Sequence, residues 1–268
     1  MPVAKRKLSC GKSARVGIIM LNSPNIPAYA HYATLVNYMY AAKHGYGFMV
    51  MRCPDPQDVG KDWAWDGQLE YKFVWSKGRM LAHALDLFDV VLFLDSDAVV
   101  WDDSVTVESK VGRLMGPQTC LVMAEDCKNS SWCYNQDKVN AGVILARRSP
   151  RMAEIIDAWM DPDASCPEFK YEHPREQACI DILRKKRFGD FIRKVPVEEM
   201  NGADGTWVRH YMGTSGPHRE RLIRAHLDAV LAELPPPESP SGSARAWTVA
   251  ALLALSLVWA LLRLRARA

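Results

Sequence analysis

The stretch Val90–Trp101, VVLFLDSDAVVW, decides the fold. Five consecutive apolar residues predict a buried strand, and Asp95 and Asp97 follow at its end. Buried carboxylates are costly unless an opposite charge compensates them, so this pair predicts a bound cation. Because residues i and i+2 of an extended segment point to the same side, both carboxylates can converge on one hard divalent ion, Mg²⁺ or Mn²⁺, that holds a diphosphate. A solvated turn is the alternative interpretation.

The segments around this strand alternate between apolar runs and helical patterns, which predicts an α/β domain with a largely parallel sheet. Further strands are predicted at 15–21, 46–51, 119–125 and 142–147, and helices at 28–44, 70–88, 149–160, 174–186 and 218–233. In such sheets ligands bind beyond the carboxyl ends of the strands. Asp95 and Asp97 lie at such an end, which supports the interpretation as a cation site.

The predicted helix before this strand carries a lysine on its apolar face. Lys77, Leu81, Ala84 and Phe88 share one side of the helix because they are spaced by four and three residues. Two interpretations of Lys77 follow. Its ammonium group either faces the site or reaches solvent while the aliphatic part of the side chain packs on the apolar surface.

Composition limits the chain to one catalytic-sized domain with appendages. The 268 residues are 49% hydrophobic, and 34 Lys and Arg against 31 Asp and Glu leave a formal charge of +3, which favours neither nucleic acid nor a polyanionic partner. Seven cysteines without a C-x-x-C pair argue against a structural zinc site. Most are expected to be small buried hydrophobes, with a Cys127–Cys133 bridge left open.

The C-terminal region predicts a membrane anchor. Residues 234–245 are rich in Pro and Ser, as linkers are, and residues 246–262 carry no charge and are long enough for a short membrane-spanning helix. Trp247 and Trp259 lie near its ends, and arginines follow it, as interfacial anchors do. A buried core helix is the alternative. The predicted organisation is a basic tail at 1–14 without a secretory signal, a domain at 15–233, the linker at 234–245, the membrane helix at 246–262 and a basic tail at 263–268.

Four segments resemble, in order and spacing, one family of glycosyltransferases. They are VWSKGRMLAHALDLFDVVLFLDSDAVV (74–100), NAGVILARRSPRMAEIIDAWM (140–160), REQACI (175–180) and HYMGTSGP (210–217). They are similar to motifs of xyloglucan xylosyltransferases, galactomannan galactosyltransferases and fungal α-1,6-mannosyltransferases. The resemblance covers about residues 30–217. It implies a GT-A fold, with a Rossmann-like, mostly parallel sheet flanked by helices, and metal-dependent, retaining transfer of a sugar from a UDP-sugar or GDP-mannose to a glycan hydroxyl.

The resemblance also implies roles for individual residues. The ligands of Mn²⁺ or Mg²⁺ would be Asp95, Asp97 and His210. Contacts to the donor or acceptor would come from Lys77, Ser96, Asn140, Ala141, Gly142 and Gly213, the segment 140–142 forming a tight turn before a strand. Glu176 and Gln177 would lie beside the anomeric carbon, where a carboxylate either stabilises oxocarbenium-like charge or attacks it.

The chain departs from the family pattern in several respects. The family often has two acidic residues before the glutamine, where this chain has Arg175-Glu176-Gln177, and the region before the terminal histidine is shorter here. The family usually has a lysine soon after the last motif, where this chain has Thr214–Gly216, and His218 or Arg219 is the candidate replacement. Related transferases are lumenal Golgi enzymes with N-terminal anchors, whereas the predicted anchor here is C-terminal. We therefore predict a single-pass protein of the endomembrane system, Golgi or ER. A C-terminal anchor without a signal peptide favours a domain in the cytosol, whereas the arginines after the helix favour a cytosolic tail, so which face carries the domain is left open.

Two other functions are compatible with the motifs. A GT-A domain that binds glycan or nucleotide without catalysis would serve as a membrane-tethered partner. A haloacid-dehalogenase-type phosphatase would use Asp95 as its nucleophile, since DSDAV (95–99) fits the signature of that class. In that class the motif normally follows the first strand, whereas two strand–helix units precede it here.

Overall fold

The strand that ends in Asp95 lies inside a six-stranded sheet. The structure, a computed structural model, describes residues 14–22, 28–52, 69–126 and 137–234, with side chains from residue 74 onward in the third range. Its contacts divide the chain into the units Met1–Asp228 and Ala229–Ala268. The candidate site residues described below all belong to the first unit.

Eight strands form two sheets in this part of the chain. They are β1 (Val16–Asn22), β2 (Gly47–Arg52), β3 (Val90–Asp95), β4 (Ala98–Val100), β5 (Leu121–Glu125), β6 (Val139–Arg147), β7 (Ile192–Val195) and β8 (Val208–His210). The large sheet has the order β2-β1-β3-β6-β5-β7, and the small sheet pairs β4 with β8 in antiparallel fashion. Only β6 runs against its neighbours in the large sheet. The prediction of a mostly parallel sheet is confirmed.

The helices flank the large sheet. They are α1 (Ala28–His44), α2 (Leu69–Leu87), α3 (Val107–Leu114), α4 (Pro150–Trp159), α5 (Pro162–Ser165), α6 (Glu176–Lys186), α7 (Val197–Met200) and α8 (Gly216–Ala232), with a 3₁₀ turn at Pro167–Phe169. The five predicted helices are present, with ends within two residues of the prediction. The helix α4 begins where Ser149 accepts a hydrogen bond from Met152 N–H and Pro150 occupies the first turn.

Side chains of the central strands are buried on both faces of the large sheet. Ile18, Met20, Leu92 and Leu94 pack in one cluster with residues of α1 and α8, and Ile19, Leu21, Val91 and Phe93 pack in another with residues of α2, α4 and α6. Because neither face meets water, these strands are continuous apolar runs rather than alternating ones. This explains why β3 could be recognised from sequence.

One edge of the large sheet collects polar side chains. The carboxyl ends of the parallel strands and the amino end of the antiparallel β6 meet there. β1 has β2 on one side and β3 on the other, so the chain order reverses between β1 and β3, the position at which α/β sheets bind ligands. We call this the carboxyl edge; it carries Asn22, Asp95 and Asn140 at the ends of β1, β3 and β6.

Two local predictions at the carboxyl edge are wrong. Asp97 does not continue an extended strand from Asp95, because Ser96 and Asp97 form a turn that leads into β4. Asn140–Gly142 is not a turn before a strand, because β6 already begins at Val139. Pairing of β6 with β3 and β5 outweighs the local turn preference of Asn-Ala-Gly.

The described residues contain no helix with the length and apolar character needed to cross a membrane. The predicted membrane helix at 246–262 and its flanking segments 235–245 and 263–268 lie outside the described residues. So do residues 1–13 and the proposed Cys127–Cys133 bridge. These assignments stay predictions.

Candidate metal and donor site

The small sheet brings a distant histidine to the two aspartates. Ala98 of β4 is paired with His210 of β8, and Tyr211 N–H donates to the Asp97 carbonyl oxygen at 3.1 Å. As a result, potential ligand atoms of Asp95, Asp97 and His210 all lie within 4.8 Å of one another. Two carboxylates and an imidazole are a donor set that suits Mn²⁺, and the carboxylates also suit Mg²⁺. The residues therefore fit a divalent cation.

An asparagine fixes the orientation of the His210 ring. Asn201 Nδ2 donates to the carbonyl oxygens of Glu125 and Asp126 at 2.9 and 3.3 Å, so its Oδ1 faces His210 Nδ1 at 2.8 Å. His210 Nδ1 must then carry the proton and donate it to Asn201. The neutral ring consequently presents the lone pair of Nε2 to a cation, an arrangement typical of histidine ligands with an outer hydrogen-bond partner.

Asp97 lies between two basic side chains. His210 Nε2 lies 3.1 Å from Asp97 Oδ1, and Arg219 Nη1 lies 3.1 Å from Asp97 Oδ2. Burial by itself would raise the pKa of Asp97, but His210 and Arg219 lower this pKa to about 2. For His210 burial acts in the opposite direction and lowers the pKa. The nearby Asp97 carboxylate raises it by more, so the pKa of His210 lies above its ordinary value. Asp97 is therefore an anion under ordinary conditions, as a metal ligand must be.

Arg219, rather than His218, is the basic residue at the site. Arg219 Nη1 also donates to Tyr29 Oη at 2.9 Å, and Nη2 donates to the Thr214 carbonyl oxygen at 2.8 Å. His218 is exposed and contacts Arg221 instead. Side chains of adjacent residues on a helix point about 100° apart. The rotation of α8 about its axis therefore directs Arg219 toward Asp97 and His218 toward solvent.

A buried lysine joins two carboxylates beside the metal site. Lys77 Nζ lies 3.0 Å from Asp95 Oδ2, 3.2 Å from Glu176 Oε1 and 3.1 Å from the Ala141 carbonyl oxygen. These three partners match the three N–H donors of an ammonium group. Burial lowers the pKa of Lys77, but the carboxylates of Asp95 and Glu176 raise this pKa by more than burial lowers it. The lysine therefore stays charged. Burial raises the pKa of Glu176, while Lys77 acts in the opposite direction.

The two polar side chains predicted to contact sugar are held by the start of β6. Asn140 Nδ2 donates to Asp126 Oδ1 at 2.9 Å, and its Oδ1 accepts from Gly142 N–H at 2.7 Å. Gln177 Oε1 accepts from Ala141 N–H at 3.1 Å. A hydrogen bond from Gln177 to a ligand would therefore come from its Nε2 group. Ser96 lies in the turn between Asp95 and Asp97, and Gly213, with φ +69°, lies in the turn between β8 and α8.

Gly142 is required by the position of His210. A Cβ atom at residue 142 would overlap Cε1 of the His210 ring. We expect Gly142→Ala to displace the imidazole and to lower Mn²⁺ affinity by about 10- to 100-fold, the effect of disturbing an outer partner of a metal ligand. Isothermal titration calorimetry with Mn²⁺ measures this.

The matched control for this variant is Gly112→Ala. Gly112 is exposed on α3, and a Cβ there would meet nothing within 4 Å. Gly112→Ala should leave Mn²⁺ affinity unchanged. Equal affinity in both variants and the wild type would show that His210 is not a ligand.

Three functional candidates escaped sequence reasoning. Asn201 orients His210, and Asp126 is the carboxylate that Asn140 contacts. Asn22 ends β1 next to Asp95, is 5% exposed, and has a buried Oδ1 atom with no hydrogen-bond partner among the described residues. The only sequence signal was at Asn22, a polar residue that ends an apolar strand. Asn201 and Asp126 acquire their roles through tertiary contacts and have no local signal.

Comparison with solved structures identifies the architecture. A glycosyltransferase involved in the glycosylation of the major capsid of PBCV-1 superimposes with a TM-score of 0.59 at 16% sequence identity, over 78% of this chain and 99% of that one. The chain has the GT-A fold. The galactosyltransferase LgtC, solved in complex with donor and acceptor sugar analogues, gives a TM-score of 0.50 at 17% identity, over 83% of this chain and 98% of that one. Neither a family model nor a curated protein matches the sequence.

The GT-A fold brings most of the predicted residues together. Lys77 contacts Asp95, one of the three predicted metal ligands, and also contacts Glu176. Gln177 and Asn140 form hydrogen bonds with the backbone at the start of β6. Gly213 follows Met212, whose sulfur accepts a hydrogen bond from Asn140. The fold and this juxtaposition agree with the sequence analysis, while the part that each side chain plays toward a ligand stays a prediction.

Proposed function

We propose that this protein is a metal-dependent glycosyltransferase. It would move a sugar of the xylose, galactose or mannose class from a nucleotide-diphosphate sugar to a hydroxyl of a glycan, with retention of anomeric configuration. The observation that carries the proposal is the cluster of Asp95, Asp97 and His210 at the carboxyl edge of a GT-A fold. A chain anchored through residues 246–262 in an endomembrane would act on glycans at that membrane.

Each of the described site residues would have its own role in such a reaction. Asp95, Asp97 and His210 would hold Mn²⁺ or Mg²⁺, and the bound ion would supply Lewis-acid stabilisation of the diphosphate leaving group. Arg219, whose Nη1 lies 3.1 Å from Asp97 Oδ2, would contact the same diphosphate. Gln177 Nε2 would orient the sugar, and Glu176 would contribute negative charge where positive charge develops on the anomeric carbon.

Asn22 supports a nucleotide donor. Its amide nitrogen faces Thr34 Oγ1 at 3.5 Å, and that hydroxyl donates to the Ala30 carbonyl oxygen, so Asn22 Oδ1 is the atom left to accept. A buried acceptor without a partner costs about 1 to 3 kcal/mol, which a ligand N–H or O–H would recover. Because β1 adjoins β3 on the side away from β6, the nucleoside would lie toward β1 and the sugar toward Gln177.

Nucleotide binding and donor hydrolysis test the proposal together. The full chain in detergent is titrated with UDP and with GDP, with and without Mn²⁺, and is then incubated with UDP-xylose, UDP-galactose and GDP-mannose. We expect one nucleotide to bind only with Mn²⁺ and the matching donor to be hydrolysed slowly. Binding without hydrolysis or transfer from any donor would favour the non-catalytic alternative. Hydrolysis of a simple phosphomonoester without nucleotide binding would favour the phosphatase alternative, with Asp95 as nucleophile.

A further inference from the structure

A disulfide bond lies directly behind the donor site. Cys166 and Cys179 are bonded, with their Cα atoms 5.4 Å apart and a separation of 13 positions in sequence, and both are 0% exposed. Cys166 ends α5, and Cys179 lies one turn into α6, three residues after Glu176 and two after Gln177. The bond therefore joins α6 at the turn that carries both site residues to the preceding segment.

The start of α6 has little local support of its own. No side chain caps the helix, and Arg175, the residue before it, has φ +51°, a conformation that non-glycine residues adopt rarely. Tertiary contacts must therefore hold it in place. Among the described residues these contacts include the disulfide, a hydrogen bond of 2.7 Å from Trp159 Nε1 to the Glu176 carbonyl oxygen, and the contacts of Glu176 with Lys77 and of Gln177 with Ala141.

We propose that the Cys166–Cys179 disulfide is a required covalent modification of the donor site and that the domain acquires it in an oxidising compartment. Such bonds form and persist in the secretory pathway and outside the cell, whereas cytosolic thiols are kept reduced. The two thiols pass two electrons and two protons to the disulfide of a thiol oxidoreductase, which becomes a dithiol. The domain therefore lies on the lumenal side of the membrane.

The arginines beyond the domain agree with this side, although the lack of a predicted secretory signal at residues 1–14 by itself favours the cytosol. Arg263, Arg265 and Arg267 follow the predicted membrane helix, and positive residues favour the cytosolic end of such a helix. A domain on the opposite end of the helix is then lumenal. The claim on the compartment is independent of the catalytic activity, whereas the claim on the donor site rests on the proposed function.

Thiol mapping tests the compartment. The full chain is expressed in eukaryotic cells, the membrane fraction is alkylated before and after reduction, and peptides that contain Cys166 and Cys179 are analysed by mass spectrometry. We expect the two residues to become alkylated only after reduction, and Cys120, a buried free thiol, to become alkylated upon unfolding alone. Alkylation of Cys166 and Cys179 in unfolded, unreduced protein would overturn the proposal.

Paired variants test the link to the site. In the double variant Cys166→Ala/Cys179→Ala we expect Mn²⁺-dependent nucleotide affinity to stay within about threefold of the wild type, because the metal ligands lie outside α6. We expect kcat for donor hydrolysis to fall about 100-fold, the effect of misplacing site residues by about 1 Å. Cys120→Ala removes a buried thiol far from α6 in sequence and should leave both quantities unchanged. A double variant with wild-type kcat would overturn the proposal.

If the double variant does not fold, amide hydrogen exchange of the wild-type protein tests the role of the disulfide instead. Wild-type protein treated with dithiothreitol should lose amide protection at the start of α6 while β3 stays protected. Unchanged protection of α6 after complete reduction would overturn the proposed role of the bond. If the wild type hydrolyses no donor, the proposed function fails, and thiol mapping and hydrogen exchange still decide the disulfide proposal.

Discussion

Replacing Asp97 by alanine should abolish metal-dependent nucleotide binding. The variant loses one of the three predicted ligands and leaves His210 Nε2 and Arg219 without their shared carboxylate. We expect Mn²⁺ affinity to fall by at least about 100-fold, since loss of an outer partner alone costs up to that much. Donor hydrolysis should fall about 1000-fold, because Lewis-acid stabilisation contributes several kcal/mol and each 1.36 kcal/mol is a tenfold change in rate. Calorimetry with Mn²⁺ and nucleotide, followed by donor hydrolysis, measures both effects.

The matched control for Asp97→Ala is Asp103→Ala. Asp103 lies six residues further along and forms an exposed ion pair with Lys43 at 2.8 Å. This control should bind Mn²⁺ and nucleotide as the wild type does. Thermal unfolding of both variants separates loss of the site from loss of the fold. If Asp97→Ala kept wild-type affinity, the cluster would not be the metal site and the proposed function would lose its main support.

The second large effect concerns stability and the buried Lys77. Methionine at this position has a similar volume but no charge, so the carboxylates of Asp95 and Glu176 would face each other without their shared cation. Breaking a buried ion pair on one side costs about 3 to 5 kcal/mol. We therefore expect Lys77→Met to lower the free energy of unfolding by about that amount, measured by urea denaturation at neutral pH without metal.

Lys43→Met is the control for this experiment. The Lys43–Asp103 pair has side-chain exposures of 51% and 36%, and exposed pairs contribute about 1 kcal/mol or less. A loss for Lys77→Met no larger than that for Lys43→Met would mean that the buried triad does not stabilise the fold. Lys77 would then act only toward a ligand.

Much of the fold could be predicted because its signals are local. β3 is a run of apolar residues that is buried on both faces, and α1 matches its predicted span. Sequence analysis missed six short elements among the described residues, because distant parts of the chain determine their burial and pairing: α3, α5, α7, β4, β7 and β8. The predicted turn at Asn140–Gly142 was wrong for the same reason, since pairing with β3 and β5 overrides local preference.

The candidate site likewise contains residues that have a local sequence signal and residues that depend on contacts between distant parts of the chain. Asp95, Asp97 and Lys77 were inferred from position alone, as acids after a buried strand and a cation on an apolar helix face. His210 followed only from the family resemblance, since its 113-residue separation from Asp97 is bridged by the pairing of β4 with β8. Spacing could not select Cys166 and Cys179 among seven cysteines, because disulfide geometry requires known Cα positions.

The sequence by itself determined an α/β fold with two carboxylates at the end of its central strand, because strand burial and helix periodicity are properties of short segments. Tertiary structure alone decided that a turn makes those carboxylates converge, that Arg219 rather than His218 reaches Asp97, and that Asn201 orients His210. These outcomes depend on which distant backbones pair and on the phase with which a helix meets the sheet. Those relations arise only when the whole chain packs.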